Sequence, residues 1–158
     1  MEQRFLLDGM LGRLCRKMRM LGIDCELTPA GRSHLLLTDA ENAGRTAITT
    51  ATRAIDRSGP PPVVLKRSGA PEMIVELYAR IGETPRLAPF TLCLECNTPL
   101  REVVPAEGDP RLPPRILRDF SEFHECTKCG RIYWKGSHYE AMKRYTGSII
   151  ERLRSAGP

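Results

Sequence analysis

The stretch that decides the fold is RFLLDGMLGRLCRKMRMLGIDCE, residues 4–26. Its first apolar residues predict a buried strand over residues 4–8. A helix over residues 9–21 is predicted to follow at once, because its apolar residues recur at spacings of three and four. Gly22 is the predicted end of that helix. The stretch therefore places one carboxylate, Asp8, between a buried strand and a helix rich in arginine and lysine.

Strand and helix patterns go on alternating through the N-terminal half of the chain. Further strands are predicted for the stretches IDCEL, TAITT and PPVVLKR, residues 23–27, 46–50 and 61–67. Helices are predicted over residues 35–43 and 71–81, where apolar residues again line one face. Strands that alternate with helices of this size predict an α/β unit on a parallel sheet, with helices on both faces. We expect this unit to span residues 1–88.

The C-terminal half has a different pattern. Residues 89–137 show little helical periodicity, and the Pro-rich stretch PAEGDPRLPP, residues 105–114, is predicted to be a loop. An apolar stripe then predicts a helix within the last segment, residues 138–158. Ser137 and Glu140 have the spacing of a capping box, which predicts the start of that helix.

Four of the six cysteines form two Cys-x-x-Cys pairs, which are Cys93, Cys96, Cys126 and Cys129. Two intervening residues let a tight turn direct both sulfurs at one ion. Two such turns supply the four thiolates that Zn²⁺ binds tetrahedrally at about 2.3 Å. The pattern predicts a structural zinc ribbon over residues 89–137, in which the ion compensates for a small core. The alternative is that the pairs form disulfides or a redox pair.

The composition is that of a folded chain with a mild basic excess. The 158 residues carry a formal net charge of +5, which favours polyanionic partners only weakly. No apolar run approaches the about 20 residues that a transmembrane helix needs. Charged residues also interrupt the N-terminal apolar stretch, so no signal peptide is expected. We therefore expect a cytoplasmic protein with no membrane partner.

Two stretches resemble a known nuclease family. RFLLDGMLGRLCRKMRMLGID and FHECTKCGRIYWKGSHYEAM, residues 4–24 and 123–142, resemble the Mut-seven C-terminal RNase family. The resemblance covers about residues 4–145. It implies a small PIN-like three-layer α/β unit with a parallel sheet, followed by a four-cysteine zinc ribbon and a C-terminal helix.

The resemblance also implies a divalent-metal ribonuclease. In such enzymes, carboxylates at the C-terminal ends of parallel strands hold Mg²⁺ or Mn²⁺, which activates water and stabilises charge on the phosphate. Only Asp8 matches an acidic position of the family, since Ser33 and Ala51 stand near the other two expected positions. Asp39 and Asp56 are nearby in sequence. The predicted catalytic set is therefore Asp8, Asp39 and Asp56.

Two of these carboxylates have more than one interpretation. Asp8 is either the N-cap of the following helix or a metal ligand at a strand end, and the two roles are compatible. Asp39 lies on or beside the apolar stripe of its helix. It is either a buried acid that needs a partner or a metal, or an acid at the flank of the stripe that reaches water.

The predicted RNA contacts are basic, aromatic and histidine side chains from both halves of the chain, namely Arg13, Arg16, Lys17, Arg131, Trp134, Lys135 and His138. Basic residues bind phosphates and aromatic rings stack on bases. The alternatives are a solvated helix face for the N-terminal cations, ribbon packing for Trp134 and an exposed first-turn residue for His138.

Two functions follow from these patterns. The first is a metal-dependent endoribonuclease with a shifted or reduced acidic site. The second is a catalytically inactive RNA- or protein-binding module that keeps the nuclease fold and the zinc ribbon. RNA is the expected partner in the first case, with structural Zn²⁺ and with Mg²⁺ or Mn²⁺ at Asp8 as the expected ions.

Overall fold

The computed structural model describes residues 3–52 and 60–157. Its larger sheet has four strands, β1 to β4, which span Arg4–Leu7, Asp24–Leu27, Thr46–Thr49 and Val63–Val64. The strand order is β2-β1-β3-β4, and every pairing is parallel. Because the strands are parallel, their carboxyl ends lie along one edge of the sheet, where open α/β sheets bind their ligands.

Helices cover both faces of this sheet. They are α1, α2, α3 and α5, which span Gly12–Met20, Leu36–Asn42, Ala70–Ile81 and Tyr139–Ala156. Phe5 and Leu7 of β1 pack with α1, α3 and α5 in one core cluster. Leu6, which points to the opposite face, packs with α2. The described residues therefore form a three-layer α/β fold, which confirms the predicted fold class.

Helix α1 ends where the sequence pattern predicted. Gly22 has φ +79°, a left-handed conformation that glycine adopts without steric cost. A Cβ atom at this position would also overlap the backbone of Ala88. Ala88 donates its N–H to the Leu21 carbonyl oxygen at 3.0 Å, so this turn brings the start of the C-terminal half against the end of α1.

The C-terminal half contains a second, antiparallel sheet in the order β5-β6-β7. Its strands span Leu100–Val103, Phe123–Cys126 and Ile132–Trp134. Leu112, Phe123 and Ile132 form its small core. The connection between β5 and β6 contains a short helix, α4, at Pro114–Asp119, which the sequence analysis missed. Proline at the first helical position is the signal for it, because its fixed φ suits a helix start.

Helix α5 begins without the predicted capping box. Its N-cap is His138, and no side chain caps the helix. The first turn is closed by backbone groups instead: Tyr139 N–H donates to the Gly136 carbonyl at 2.9 Å, and Met142 N–H donates to the His138 carbonyl at 3.0 Å. The prediction for Ser137 was therefore wrong. Within residues 3–52 and 60–157, no helix combines the length and the apolarity needed to cross a membrane.

The remaining two cysteines lie in the larger core. Cys15 of α1 is fully buried, as is Cys25 of β2. Their sulfurs lie 3.3 Å apart, and the Cys25 thiol also lies 3.3 Å from the Cys15 carbonyl oxygen. The pair therefore fills the contact between α1 and β2.

Candidate functional site

Asp8 lies directly after β1, at the carboxyl edge of the parallel sheet. Its side chain is buried, with 8% of the residue exposed. Its backbone N–H donates to the Ile48 carbonyl of β3 at 2.9 Å, which fixes Asp8 between two strand ends. The next residue, Gly9, donates its N–H to the Thr28 hydroxyl at 2.8 Å. Polar groups from three strand ends therefore meet around Asp8.

Hydroxyl groups hold the Asp8 carboxylate. Ser33 donates to Oδ1 at 2.7 Å, and Thr49 donates to Oδ2 at 3.2 Å. The N–H of Met10 also reaches Oδ1 at 3.4 Å, since Asp8 is the N-cap of a 3₁₀ turn at Gly9–Leu11. The predicted capping role is therefore confirmed, although it applies to this short turn that precedes α1. We call Asp8, Ser33 and Thr49 together the Asp8 edge.

The positions where the resemblance implied two more acids carry no carboxylate. Ser33 hydrogen-bonds Asp8 itself, as described above. Ala51 is exposed, and its N–H donates to the Thr49 hydroxyl at 3.0 Å. Across residues 3–52 and 60–157, no group of three or more His, Cys, Asp and Glu side chains with metal-binding spacing includes Asp8. Hydroxyls thus fill the space around this carboxylate in the described part of the chain.

The other two predicted acids have different outcomes. Asp39 lies on α2 with 26% of its side chain exposed, and it accepts two hydrogen bonds from Arg32, at 3.0 and 3.2 Å. Its partner is therefore a guanidinium at the surface. Asp56 lies outside the described residues. The catalytic roles of Asp39 and Asp56 stay predictions.

The four cysteines of the two Cys-x-x-Cys pairs converge on one point. Their sulfurs all lie within 4.8 Å of one another, and those of Cys93 and Cys129 are 3.8 Å apart. A tetrahedral ion with bonds of about 2.3 Å separates its sulfur ligands by about 3.8 Å. The geometry of this set, which we call the cysteine cluster, therefore fits a metal ion such as zinc.

Two equivalent turns shape the cysteine cluster. Gly130, with φ +68°, donates its N–H to the Cys126 carbonyl at 2.8 Å. Asn97, with φ +60°, donates in the same way to Cys93 at 3.0 Å. The sequence analysis overlooked Asn97, although asparagine is enriched in this left-handed conformation. Its position four residues after a first cysteine was the available signal.

The electrostatics of the cysteine cluster favour a cation. Desolvation, followed by hydrogen bonding to Cys129, raises the pKa of Cys96 to about 12. Desolvation opposes ionisation of Cys93 as well, yet hydrogen bonds from the Tyr133 hydroxyl and neighbouring backbone lower its pKa to about 7. Thiolates this close repel one another, and a bound divalent cation offsets that repulsion.

Arg19 joins α1 to the first cysteine turn. It is buried, and its Nε donates to the Cys25 carbonyl at 2.9 Å. Its Nη1 donates to the carbonyls of Leu94 and Glu95 at 2.9 and 2.7 Å. The sequence pattern alone, which places Arg19 in a helix rich in arginine and lysine, does not predict this burial. Its spacing of four from the apolar-stripe residue Cys15 was the available signal.

Three basic residues of α1 line a cavity of about 860 Å³. Arg13, Arg16 and Lys17 were predicted to contact RNA, and Arg67, from the connection between β4 and α3, joins them. Lys17 places its Nζ 4.3 Å from the ring centre of Tyr145. No Asp or Glu is among the described residues that line this cavity, which we call the basic groove.

The predicted RNA contacts of the ribbon do not join the basic groove. Arg131 and Arg16 both pair with Glu95, at 3.6 and 2.5 Å. Lys135 pairs with Glu122. Trp134 packs against the ribbon core and is half-buried, in agreement with the packing interpretation. His138 is exposed at the start of α5, and its contact with RNA stays a prediction.

The model of the Mut7-C RNAse domain family matches residues 3–146. No curated protein and no solved structure matches the chain. The family match includes both the Asp8 edge and the cysteine cluster, and it covers nearly the whole sequence. The chain therefore belongs to the Mut7-C RNase domain family.

Proposed function

We propose that this protein binds single-stranded RNA in the basic groove. The observation that carries the proposal is a cavity of about 860 Å³ lined by four basic side chains, with no acidic residue in its described lining. Of the four, Arg16 pairs with Glu95, while Arg13, Lys17 and Arg67 form no ion pair among the described residues. Cations that no carboxylate neutralises can neutralise phosphates and release the counterions of the strand.

The basic groove opens beside the Asp8 edge. Met10, whose N–H reaches Asp8, lines the groove and is 76% exposed. Thr50, the residue after Thr49, lines it as well. An RNA strand in the groove would therefore pass the carboxyl ends of β1 and β3. This is the edge at which nuclease chemistry would be expected in a parallel sheet.

Metal-dependent RNA cleavage is the second candidate. The observation that favours it is the burial of Asp8 at this edge, since among the described residues no lysine or arginine pairs with its carboxylate. A buried carboxylate with neutral donors attracts a cation. One carboxylate with hydroxyls, however, falls short of the acidic ligand set that Mg²⁺ or Mn²⁺ prefers. Cleavage therefore requires a further acid, for which Asp39 and Asp56 are the proposed sources.

We assign the cysteine cluster to structural zinc. Four protein ligands close the coordination sphere, which leaves no open position for a reacting molecule. Cys93, Cys96, Cys126 and Cys129 would hold the ion and thereby fix the ribbon, whose own core has three buried apolar residues in the described chain. A reducing compartment such as the cytoplasm suits this assignment, because it keeps thiols available for the metal.

The test is a retention and cleavage experiment on the zinc-loaded full chain. A labelled single-stranded RNA is incubated with wild type and with Asp8→Asn, each with and without added Mn²⁺. We expect both proteins to retain the RNA to the same extent, with the strand intact. Failure of wild type to retain the RNA would overturn the proposal.

The same experiment decides the second candidate. Cleavage that needs added Mn²⁺ and disappears in Asp8→Asn would establish the nuclease and assign Asp8 to it. Omitting Mn²⁺ is a better control than a chelator, because a chelator would also remove an ion from the cysteine cluster. Equal zinc content, measured by mass spectrometry, shows that the cysteine cluster is intact in the variant, and equal circular dichroism spectra show that its fold is retained.

A further inference from the structure

A second cavity, of about 110 Å³, lies between the ribbon and α5. Aromatic rings make up much of its wall: those of Phe90, Tyr133, Trp134 and Tyr139. Met142 adds a thioether from the first turn of α5. The rings of Phe90 and Tyr139 lie 5.2 Å apart at 51°, so they form one packed wall. We call this cavity the aromatic pocket.

The size of the aromatic pocket limits what it can hold. An apolar cavity of about 150 Å³ binds benzene, whereas pockets for independent small ligands measure about 300–1,000 Å³. At about 110 Å³ the aromatic pocket is smaller than that benzene cavity, so a single ring system would lie against its aromatic wall with part of the ring system outside. Whatever carries that ring must lie outside the pocket.

The aromatic pocket and the basic groove share two lining residues. Met20 and Leu94 line both the aromatic pocket and the basic groove. The two cavities are therefore neighbours, and a ligand with its ring at the pocket would cross these two residues to reach the groove, whose four basic residues select a polyanion. A polymer that carries planar rings on an anionic backbone has the chemistry of a nucleic acid.

We infer that the aromatic pocket binds one unstacked base of an RNA strand whose phosphates lie in the basic groove. This inference rests on the proposed function and names the form of RNA that the site takes. A paired base cannot leave its stack without losing its partner, so the pocket selects single strands over duplexes. Stacking on aromatic side chains accepts any base, which predicts weak sequence preference.

Trp134 makes the inference directly measurable. It is the only tryptophan of the chain, and it lines the aromatic pocket. Binding is followed by the fluorescence anisotropy of a labelled ten-nucleotide RNA, and pocket occupancy is followed by the emission of Trp134. A second strand of the same length carries abasic sites in place of every base. No Mg²⁺ or Mn²⁺ is added, so that the strands stay intact.

The intact strand is expected to quench Trp134 as its anisotropy rises. The abasic strand is expected to bind about 10-fold more weakly and to leave the emission unchanged. Tyr139→Ala should weaken binding of the intact strand to a similar degree and leave the abasic strand unaffected, while Tyr139→Phe should bind like wild type. Phe120→Ala is the matched control, because Phe120 is a half-buried ring of the ribbon outside the pocket.

The results that would contradict these expectations distinguish the inference from the proposed function. Equal affinity for the intact and abasic strands, or binding without a change in Trp134 emission, would overturn the inference and leave RNA binding in the groove standing. Absence of any anisotropy change would overturn the proposed function and the inference together. The comparison of the two strands uses wild type alone, so it decides the matter even where a variant fails to fold.

Discussion

The Asp8 edge and the cysteine cluster both gather polar side chains at the ends of strands or turns, but they are built from different kinds of contact. Each half of the cysteine cluster comes from four consecutive residues, and all four ligands are alike. The Asp8 edge draws Asp8, Ser33 and Thr49 from three separate parts of the chain. In the described residues it contains one carboxylate, whose two oxygens accept hydrogen bonds from neutral hydroxyls.

This difference shows what each region can do with a metal. Four thiols at mutual distances within 4.8 Å are poorly placed without an ion, because their anionic forms repel one another. The Asp8 carboxylate already has hydrogen bonds to both oxygens, so it is stable in the fold by itself. We therefore expect the ribbon to depend on its metal and the Asp8 edge to be independent of one.

Removing the metal should have the largest effect. Structural zinc supplies about 10–16 kcal/mol in small zinc domains, more than a core of three buried residues can replace. We expect about one zinc per chain by mass spectrometry. A strong chelator, or Cys126→Ser, should unfold the ribbon and shift the emission of Trp134 to longer wavelength.

Cys15→Ala is the control for this experiment. It removes a thiol that is buried in the larger core and lies outside the cysteine cluster, so the zinc content should not change. Retention of a folded ribbon after complete loss of zinc would contradict the contrast between the two regions.

The contact between α1 and the first cysteine turn should give the next largest effect. Arg19 is buried and donates to three carbonyl groups, of which two belong to the first cysteine turn. Arg19→Met leaves those carbonyls without their donor, and we expect a loss of about 2–4 kcal/mol in the free energy of unfolding. Urea unfolding followed by circular dichroism measures it.

Arg16→Met is the matched control on the same helix. Arg16 is exposed and pairs with Glu95 at the surface, where an ion pair contributes about 0–1 kcal/mol. Equal losses for the two variants would show that the buried hydrogen bonds of Arg19 are not what joins α1 to the cysteine turn.

A second carboxylate at the Asp8 edge should give a smaller effect that reverses with metal. The Ser33 hydroxyl lies 2.7 Å from Asp8 Oδ1, so Ser33→Asp brings two negative charges together. We expect a loss of about 1–2 kcal/mol without metal, measured as a lower Tm. Added Mn²⁺ should restore the Tm of this variant and leave wild type unchanged. The Tm of Ser33→Asn, whose side chain is uncharged, should not change when Mn²⁺ is added. A rise in the Tm of wild type with Mn²⁺ would contradict this prediction, because it would show that the wild-type Asp8 edge already binds the ion.

The predictable part of the molecule is the part that local sequence determines. Residues 4–26 predicted β1 and α1 because apolar periodicity and the left-handed Gly22 depend only on neighbours in the chain. The cysteine cluster was equally predictable from the sequence, because the spacing within each pair already directs two sulfurs to one point.

The rest depends on contacts between distant segments. Neither Ser33, which follows β2, nor Thr49 of β3 carries a local signal for its bond to Asp8. Both bonds depend on the strand order, which places β2 and β3 on either side of β1. The burial of Arg19 likewise requires the first cysteine turn to supply carbonyl acceptors from 75 residues away. Sequence periodicity cannot foresee such partners.

The most direct test of RNA binding in the basic groove is the salt dependence of RNA affinity. Each phosphate contact with a single strand contributes about −0.7 to the slope of log affinity against log salt concentration. We predict that the triple variant Arg13→Ala, Lys17→Ala, Arg67→Ala lowers the magnitude of that slope by about 2. The control triple, Arg86→Ala, Arg115→Ala, Arg154→Ala, removes exposed arginines outside the groove and should keep the wild-type slope. Equal slopes for wild type and the groove triple would contradict the account.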